Sequence, residues 1–193
     1  MRRLAAAALV GLALPVAAAA GARAQDAGLV DVPSRIASDC SVDVTDALNA
    51  WIASVPDGRT LALAAGACYR IDGTVRITAR NDLVLDGRGA TLRAGSEGDQ
   101  ERRHLSIAGG SRITVRDLTI RGALPNTRLG PEDHRQDRAF QHGIELRSVA
   151  GATIEHVRVL DVFGDFVYTG RTPDGEPSRD VTVTGSPSGV RPV

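Results

Sequence analysis

The segment "RITVRDLTIRG", residues 112–122, decides the fold class because apolar and polar residues alternate along two short runs. Ile113 and Val115 are the apolar residues of the first run, and Leu118 and Ile120 are those of the second. Strict alternation is typical of a strand with one buried face. An aspartate, which is a turn-forming residue type, separates the two runs. The segment therefore predicts two short β-strands joined by a tight corner.

The same pattern recurs on both sides of this segment, which makes it one unit of a repeat. "NDLVLDGRGATLRA" (81–94) precedes it, and "GATIEHVRVLDVFGDFVYTG" (151–170) follows it. Successive units align at an offset of 30 residues in the first two columns below, and the next offset is 39 residues in all three columns. Shared offsets of this kind are the signature of a repeat architecture. The aligned inward positions form three columns: Val75, Ile77, Leu105, Ile107, Ile144, Leu146 and Val167; Leu83, Leu85, Ile113, Val115, Ala152, Ile154, Val181 and Val183; and Ala90, Leu92, Leu118, Ile120, Val157 and Val159.

Three short strands in each repeat, with no helical pattern between them, exclude a doubly wound sheet, because its parallel strands need helical crossovers. The pattern predicts an all-β solenoid over residues 59–185, in which each turn buries its apolar face against its neighbours. The longer offset locates a polar insertion at 121–141, which we expect to leave the solenoid as a loop.

A single helix is predicted before the repeats, from "TDALNAWIASVPDG" (45–58). Thr45 is the expected N-cap. The apolar residues of the helix fall on one stripe: Leu48, Trp51, Ile52 and Val55. We expect the segment 39–58 to cap the open end of the solenoid, since an uncapped end would expose apolar surface and strand edges.

The first 24 residues have the features of a secretory signal peptide. Arg2 and Arg3 precede an alanine-rich apolar run, and a small-residue cleavage site predicts cutting before Gln25. A membrane anchor is the alternative, but alanine-rich runs are only weakly hydrophobic. The predicted protein is therefore secreted, either extracellular or periplasmic, with a flexible lead at 25–38 and a disordered tail at 186–193.

The charge of the chain limits its possible binding partners, and its two cysteines predict a disulfide. Without its predicted signal peptide the chain has three more acids than bases, and no concentrated basic patch points to nucleic acid. We expect a monomer that makes no membrane contact after cleavage. Cys40 and Cys68 predict a disulfide in an oxidising compartment. The alternatives, a metal site or a reactive thiol, lack clustered histidine or acid partners.

The repeat rows and the helix before them resemble the N-terminal part of the secreted right-handed parallel β-helix proteins of the pectin-lyase-like superfamily, over 39–185. The resemblance implies a right-handed parallel β-helix with an N-terminal capping α-helix. Relatives continue for more turns, so the resemblance also implies a truncated protein. The superfamily includes polysaccharide lyases, glycoside hydrolases, epimerases and non-catalytic surface proteins, so the fold does not fix the function.

The aligned columns also place polar residues together on an outward face. His142 and Asp165 fall one turn apart, roughly 4.7–4.9 Å in space if their strands pair, and Glu145 and Tyr168 stack in the same way. These four are the candidate catalytic residues, because carboxylates, histidine and tyrosine serve as acids and bases in sugar chemistry. The candidate substrate-binding residues are arginines, which pair with uronate carboxylates: Arg76, Arg103, Arg135 and Arg138.

Two functions and one structural alternative follow from this face. The first function is a lyase or glycoside hydrolase of acidic polysaccharides, or a truncated remnant of one. The second is a non-catalytic extracellular or cell-envelope module for binding or display. The structural alternative is that His142 and Asp165 form an ordinary cross-strand pair that faces water. The motifs of polygalacturonases are incomplete here, and the signature of pectate lyases is absent.

No cofactor or metal site is predicted from the motifs. A Ca²⁺ site would have to be assembled across turns, since no calcium-loop motif is present. Asp117 and His156 are predicted at matching corners, and Asp161 is predicted to be a turn residue rather than a partner of Asp165.

Overall fold

The structure is a computed structural model that describes residues 28–124 and 135–186, together with the backbone of residues 188–189. The predicted signal peptide lies outside the described residues. So do residues 125–134 of the predicted loop.

The described chain is mostly β-structure with parallel sheets and one α-helix. The helix, α1, spans Thr45–Ser54. The strands in chain order are β1 (Leu29–Asp31), β2 (Asp39–Asp43), β3 (Thr60–Ala62), β4 (Cys68–Ile71), β5 (Val75–Asn81), β6 (Val84–Asp86), β7 (Thr91–Ala94), β8 (Leu105–Arg116), β9 (Thr119–Arg121), β10 (Ile144–Arg147), β11 (Ala150–Glu155), β12 (Arg158–Leu160), β13 (Val167–Gly170), β14 (Arg179–Thr184) and β15 (Ser188–Gly189).

The strands of the described residues form two sheets. The larger sheet has nine strands, with β1, β3, β6, β8, β10 and β13 in order and β5, β11 and β14 paired beside this path. The smaller sheet has six strands in the order β15, β12, β9, β7, β4 and β2. Each strand therefore pairs mainly with the strand of the next repeat rather than with its neighbour in sequence.

The predicted alignment of the three columns is confirmed by the pairing register. Leu105 pairs with Val75 on one side and with Ile144 on the other. Ile113 pairs with Ala152, and Ile120 pairs with Leu92 and with Val159. The inward residues of these columns up to Val159 form one buried apolar core, which includes the helix residues Leu48, Trp51 and Ile52. In the last repeat Val167 and Val181 are partly buried against this core, and Val183 is 48% exposed.

The corners between strands place single non-glycine residues in the left-handed region. Asp117 and His156, at φ 50° and 52°, follow the paired residues Arg116 and Glu155. Their predicted matching corners are thus confirmed. Gly185 takes the same corner in the next repeat, at φ 55°. A side chain there would clash with the ring of His156, because an added Cβ would lie 2.7 Å from His156 Cδ2.

The start of α1 differs from the prediction. Leu48, Trp51, Ile52 and Val55 are buried, as the stripe predicts. Thr45, however, is the first helical residue, and Val44 holds the N-cap position. Asp43 Oδ1 accepts the Thr45 backbone N–H at 3.0 Å and its hydroxyl at 2.6 Å.

The hydroxyl oxygen of Thr45 is used instead to bind the chain of the next repeat. It accepts the backbone N–H groups of Asp72 and Gly73, both at 3.1 Å. Asp43 therefore supplies the capping interaction that was expected from Thr45, and Thr45 connects the helix to the first full repeat.

Both predicted flexible ends contribute strands. Within the lead expected at 25–38, Leu29–Asp31 forms β1, whose Val30 pairs with Leu61 of β3. Within the tail expected to be disordered, Ser188 pairs with Val159. The sheets thus extend beyond the predicted limits of the repeat.

The predicted disulfide is present and joins Cys40 of β2 to Cys68 of β4, 28 residues apart in sequence. Replacing both cysteines by alanine should lower the free energy of unfolding by roughly 3–4 kcal/mol, because the cross-link restricts the unfolded chain. Urea denaturation of the variant and of the wild type, each with and without reductant, measures the effect. Reductant should weaken only the wild type; equal stability of the two oxidised proteins would contradict the prediction.

Candidate functional site

Strands β10 and β13 bring the predicted pair His142 and Asp165 together. His142 lies two residues before β10, and Asp165 lies two residues before β13. Because β10 and β13 pair from their first residues, His142 and Asp165 are aligned as well. Asp165 Oδ2 lies 3.4 Å from His142 Nδ1. The backbone N–H of Asp165 also donates to the same nitrogen at 3.0 Å. The predicted proximity is present, with a main-chain hydrogen bond that the sequence did not predict.

Aromatic rings surround His142. Its ring stacks on Tyr168, with centroids 4.6 Å apart and planes inclined by 6°. Phe140 and His142 make an edge-on contact, with centroids 6.4 Å apart and planes inclined by 79°. Phe140 is 47% exposed, whereas His142 is 3% exposed. The histidine is therefore enclosed, and the phenylalanine ring is the part of this group that faces solvent.

Glu145 is buried rather than exposed, although it lies on the outward side of its strand. Its carboxylate accepts hydrogen bonds from Arg103 Nε at 3.0 Å, from Arg147 Nε at 2.8 Å and from Ser106 Oγ at 3.0 Å. Burial disfavours the charged form, but the hydrogen bonds from Arg147 and Ser106 and the charge of Arg103 outweigh it and lower the pKa of Glu145. The carboxylate is thus held ionised beneath two arginines.

The contacts around Glu145 and His142 close into a ring. The Arg103 guanidinium lies 6.0 Å from the Phe140 ring centroid, and that of Arg147 lies 5.8 Å from the Tyr168 centroid. Both distances are within the range of cation–π attraction. We call this group the arginine–aromatic cluster; its members are Arg103, Phe140, His142, Glu145, Arg147 and Tyr168.

Arg147 is a member that sequence reasoning missed. The signal was present, because Arg147 lies two residues after Glu145 and alternation places both on the same face of the strand. It uses Nε to bind Glu145, and its two terminal nitrogens make no hydrogen bond to the described residues. Its side chain is 33% exposed. Arg147 therefore presents unused donors to solvent.

The protonation state of His142 follows from its surroundings. Nδ1 accepts the Asp165 N–H, and Nε2 is buried without a partner in the described part of the chain. Burial lowers the pKa of His142, against the opposing charges of Asp165 and Glu145. The ring is therefore neutral near pH 7, with its lone pair already engaged.

A second buried histidine, His104, lies directly behind this group. Its Nδ1 donates to the backbone carbonyl of His142 at 2.9 Å, and its Nε2 is buried without a partner in the described part of the chain. Burial lowers its pKa to about 4. The alignment of the repeats did not point to His104. The residues aligned with it are Thr74 and Gly143, and these positions were expected to lie outside the strands.

The four predicted binding arginines are not all in one place. Arg103 belongs to the cluster, and Arg76 is exposed on the neighbouring strand, where it pairs with Ser106. Arg135 and Arg138 both form ion pairs with Asp137, at 2.8 Å and 3.2 Å. In the described residues neither of these two has a hydrogen bond, an ion pair or a ring contact with the cluster.

The C-terminal end of the insertion is held next to the cluster by the buried side chains of Arg102 and Gln141. Arg102 donates to Gln141 Oε1 at 3.0 Å and to the Ser96 carbonyl at 2.7 Å. Gln141 Nε2 in turn donates to the Glu97 carbonyl at 2.6 Å. These bonds position Phe140, the residue before Gln141, beside Arg103.

Asp161 is separate from this group, as predicted. It lies in a corner with φ 56°, directly after Leu160 of β12, and its carboxylate forms an ion pair with Arg121 at 2.9 Å. Gly122 takes the preceding corner, where an added Cβ would clash with the Asp161 carbonyl oxygen. Asp161 therefore has a structural role at a crowded turn.

In residues 28–124 and 135–186, no group of three or more His, Cys, Asp or Glu is arranged to hold a metal ion. In the same residues, no helix is both long and apolar enough to cross a membrane. The chain matches no protein-family model, no curated protein and no solved structure.

Stability should fall in mild acid because of His104. Its folded-state pKa of about 4 is below the ordinary value of 6.5, so the unfolded chain binds more protons between these limits. This contribution is complete above pH 6.5 and is lost as the pH falls toward 4. The charged groups facing His104 are Arg102 and His142, and the lowered pKa of His142 acts in the same direction.

The measurement is urea denaturation at several values of pH. The wild type should lose up to about 1.4 kcal/mol per pH unit for each such histidine. His104→Asn keeps a donor for the His142 carbonyl without a titrating ring, and should show a shallower decline. His156→Gln, at an exposed histidine, is the matched control and should behave like the wild type. An equally steep decline in His104→Asn would contradict the prediction.

Proposed function

We propose that the chain is a right-handed parallel β-helix of the pectin-lyase-like type, exported from the cell, that binds acidic polysaccharides through the arginine–aromatic cluster. The fold proposal is supported by the constant register of three strands per repeat and by the helix before the first full repeat. The export proposal is supported by the disulfide and by the signal-peptide pattern of the sequence.

The observation that carries the binding proposal is that the charged residues of the cluster have different roles. Glu145 is buried and fully hydrogen-bonded, so it acts as a fixed counter-charge for Arg103 and Arg147. Arg103 also pairs with Glu101 at 2.7 Å, whereas both terminal nitrogens of Arg147 make no hydrogen bond to the described residues. A uronate carboxylate can therefore take the unused terminal donors of Arg147 without displacing Glu145.

Aromatic surface next to these donors suits the apolar faces of sugar rings. Phe140 is half exposed, and Tyr168 is half buried beneath the Arg147 guanidinium. Aromatic rings offer large contact area at little cost in conformational entropy. The combination of a rigid arginine and an exposed aromatic ring favours a polymer that has both carboxylates and sugar rings.

Catalysis is the second candidate, and Asp165 is the residue that favours it. Its carboxylate is 64% exposed and lies 3.4 Å from His142 Nδ1. The other two candidate acid–base groups are less suitable, because His142 Nδ1 already accepts a main-chain N–H and Glu145 accepts three hydrogen bonds. A general base needs a free lone pair within reach of its proton. The geometry therefore supports binding better than turnover.

Binding should depend on Phe140 and Arg147. Phe140→Ala and Arg147→Gln should each weaken binding of oligogalacturonate about tenfold, through loss of ring contact and of the charged donor respectively. Isothermal titration calorimetry at low salt measures the affinities.

Two exposed residues elsewhere provide matched controls. Val42→Ala removes an apolar side chain that is 53% exposed, and Arg179→Gln removes an arginine whose side chain is 70% exposed. Both should bind as the wild type does. Equal affinity in the cluster variants and these controls would rule out the cluster as the binding site.

For the catalytic candidate, Asp165→Asn should abolish the release of reducing or unsaturated ends from uronate polymers. Because the carboxylate is exposed, the melting temperature should not fall. A wild type that binds these polymers but releases no product would eliminate this second candidate and leave the binding proposal intact.

A further inference from the structure

The outward face of the smaller sheet has a row of arginines that the sequence patterns did not single out. Arg70 of β4 pairs in register with Arg93 of β7, and Arg93 pairs with Arg121 of β9. Arg158 lies on the next strand, β12, where it pairs with Thr119. Like charges placed directly opposite each other on neighbouring strands destabilise a sheet. The row therefore costs stability unless something else compensates its charge.

The described residues compensate this charge only in part. Arg70 forms an ion pair with Asp72 at 2.8 Å, and Arg121 forms one with Asp161 at 2.9 Å. Arg93 and Arg158 are exposed and have no hydrogen bond or ion pair with the part of the chain that the structure describes. Arg93 thus lies between Arg70 and Arg121 and has no acid of its own in the described residues.

We propose that this arginine row, Arg93, Arg121 and Arg158, is a second binding surface, which takes the carboxylates of an acidic polysaccharide lying across the strands of the smaller sheet. Adjacent strands are roughly 4.7–4.9 Å apart, so Arg93 and Arg121 lie side by side in register. Arg158 lies on the next strand but two residues out of line, in register with Thr119. Guanidinium groups bind carboxylates bidentately, and two of the three here are free to do so.

Neighbouring groups on the same face suit a sugar polymer. The hydroxyls of Thr91 and Thr119 lie in register two residues before Arg93 and Arg121, and both are partly exposed. Beside them is an open groove of about 550 Å³, whose lining includes Gly89, Leu118 and Arg158. The acids at the groove are engaged: Asp86 pairs with Arg116 at 2.9 Å, and Asp117 lies 3.5 Å from His156.

The same face is less suitable for nucleic acid. The outward residues on the paired strands β4, β7, β9 and β12 are Cys68, Arg70, Thr91, Arg93, Thr119, Arg121, Arg158 and Leu160, and none is aromatic. Single strands are bound largely by stacking of bases on aromatic rings. The β2 end of the face has Asp39 and Asp43, so a polyanion of either kind would lie over the β7, β9 and β12 end of the face.

The row and the arginine–aromatic cluster are on different sheets, so neither site depends on the other. The test compares three proteins: the wild type, the cluster variant Phe140→Ala/Arg147→Gln and the row variant Arg93→Gln/Arg158→Gln. Affinity for polygalacturonate is measured at low and at moderate salt. The row variant should lose about tenfold in affinity at low salt and show a weaker dependence on salt, because two exposed charges have been removed.

The matched control is Arg112→Gln/Arg179→Gln, which removes two exposed arginines from the larger sheet and should bind as the wild type does. The row variant should also melt no lower than the wild type, because it removes unpaired like charges; a purely structural role for the row would lower its melting temperature.

The affinities of the row variant and the cluster variant distinguish the two sites. Unchanged affinity in the row variant would overturn the proposal, as would affinity for polydeoxythymidine equal to that for polygalacturonate. Loss in the row variant alone would support the row and remove support from the cluster. Loss of affinity in the cluster variant alone would support the cluster and overturn the proposal for the row.

Discussion

The in-register parallel pairing of successive repeats is the constraint on which the rest of the structure depends. Side chains alternate between the two faces of a strand, so a slip of one residue would move every inward residue of a column to the outside. The core therefore fixes the register of each column separately, as in the pairing of Leu85 with Val115 and of Leu92 with Ile120. The corners must repeat as well, and this explains why Asp117 and His156 share an uncommon backbone conformation at matching positions.

The same constraint decides how charges are placed, because each outward residue meets the residue at the same position in the next repeat. Opposite charges in register stabilise the stack, as in the pairs Asp82–Arg112 and Asp86–Arg116. The larger sheet follows this rule at Glu145, which lies between two arginines. The smaller sheet departs from it at Arg93 and Arg121, and an unfavourable local arrangement is a reasonable place to look for function.

Much of the fold could be predicted because the offsets between repeats fix which residues are neighbours. The approach of His142 to Asp165 followed from that alone. The burial of Glu145 did not, because it depends on Arg103 and Arg147 folding over the carboxylate and not on the strand pattern. His104 was missed because alternation is informative only within strands, and it lies just before one. The role of Asp43 was missed because a carboxylate one or two residues earlier can replace an expected capping hydroxyl.

A structural role and a catalytic role for His142 would both use the same atom, Nδ1. Its Nδ1 accepts the backbone N–H of Asp165, and this bond links the approach to β13 to the preceding repeat. A role as general base would require the same lone pair, and the bond would have to break each time the nitrogen took a proton. Protonation is also opposed by burial of the ring. Since the stack gains from keeping the bond and catalysis would need to lose it, His142 is better suited to holding the arginine–aromatic cluster in place than to acting as a general base.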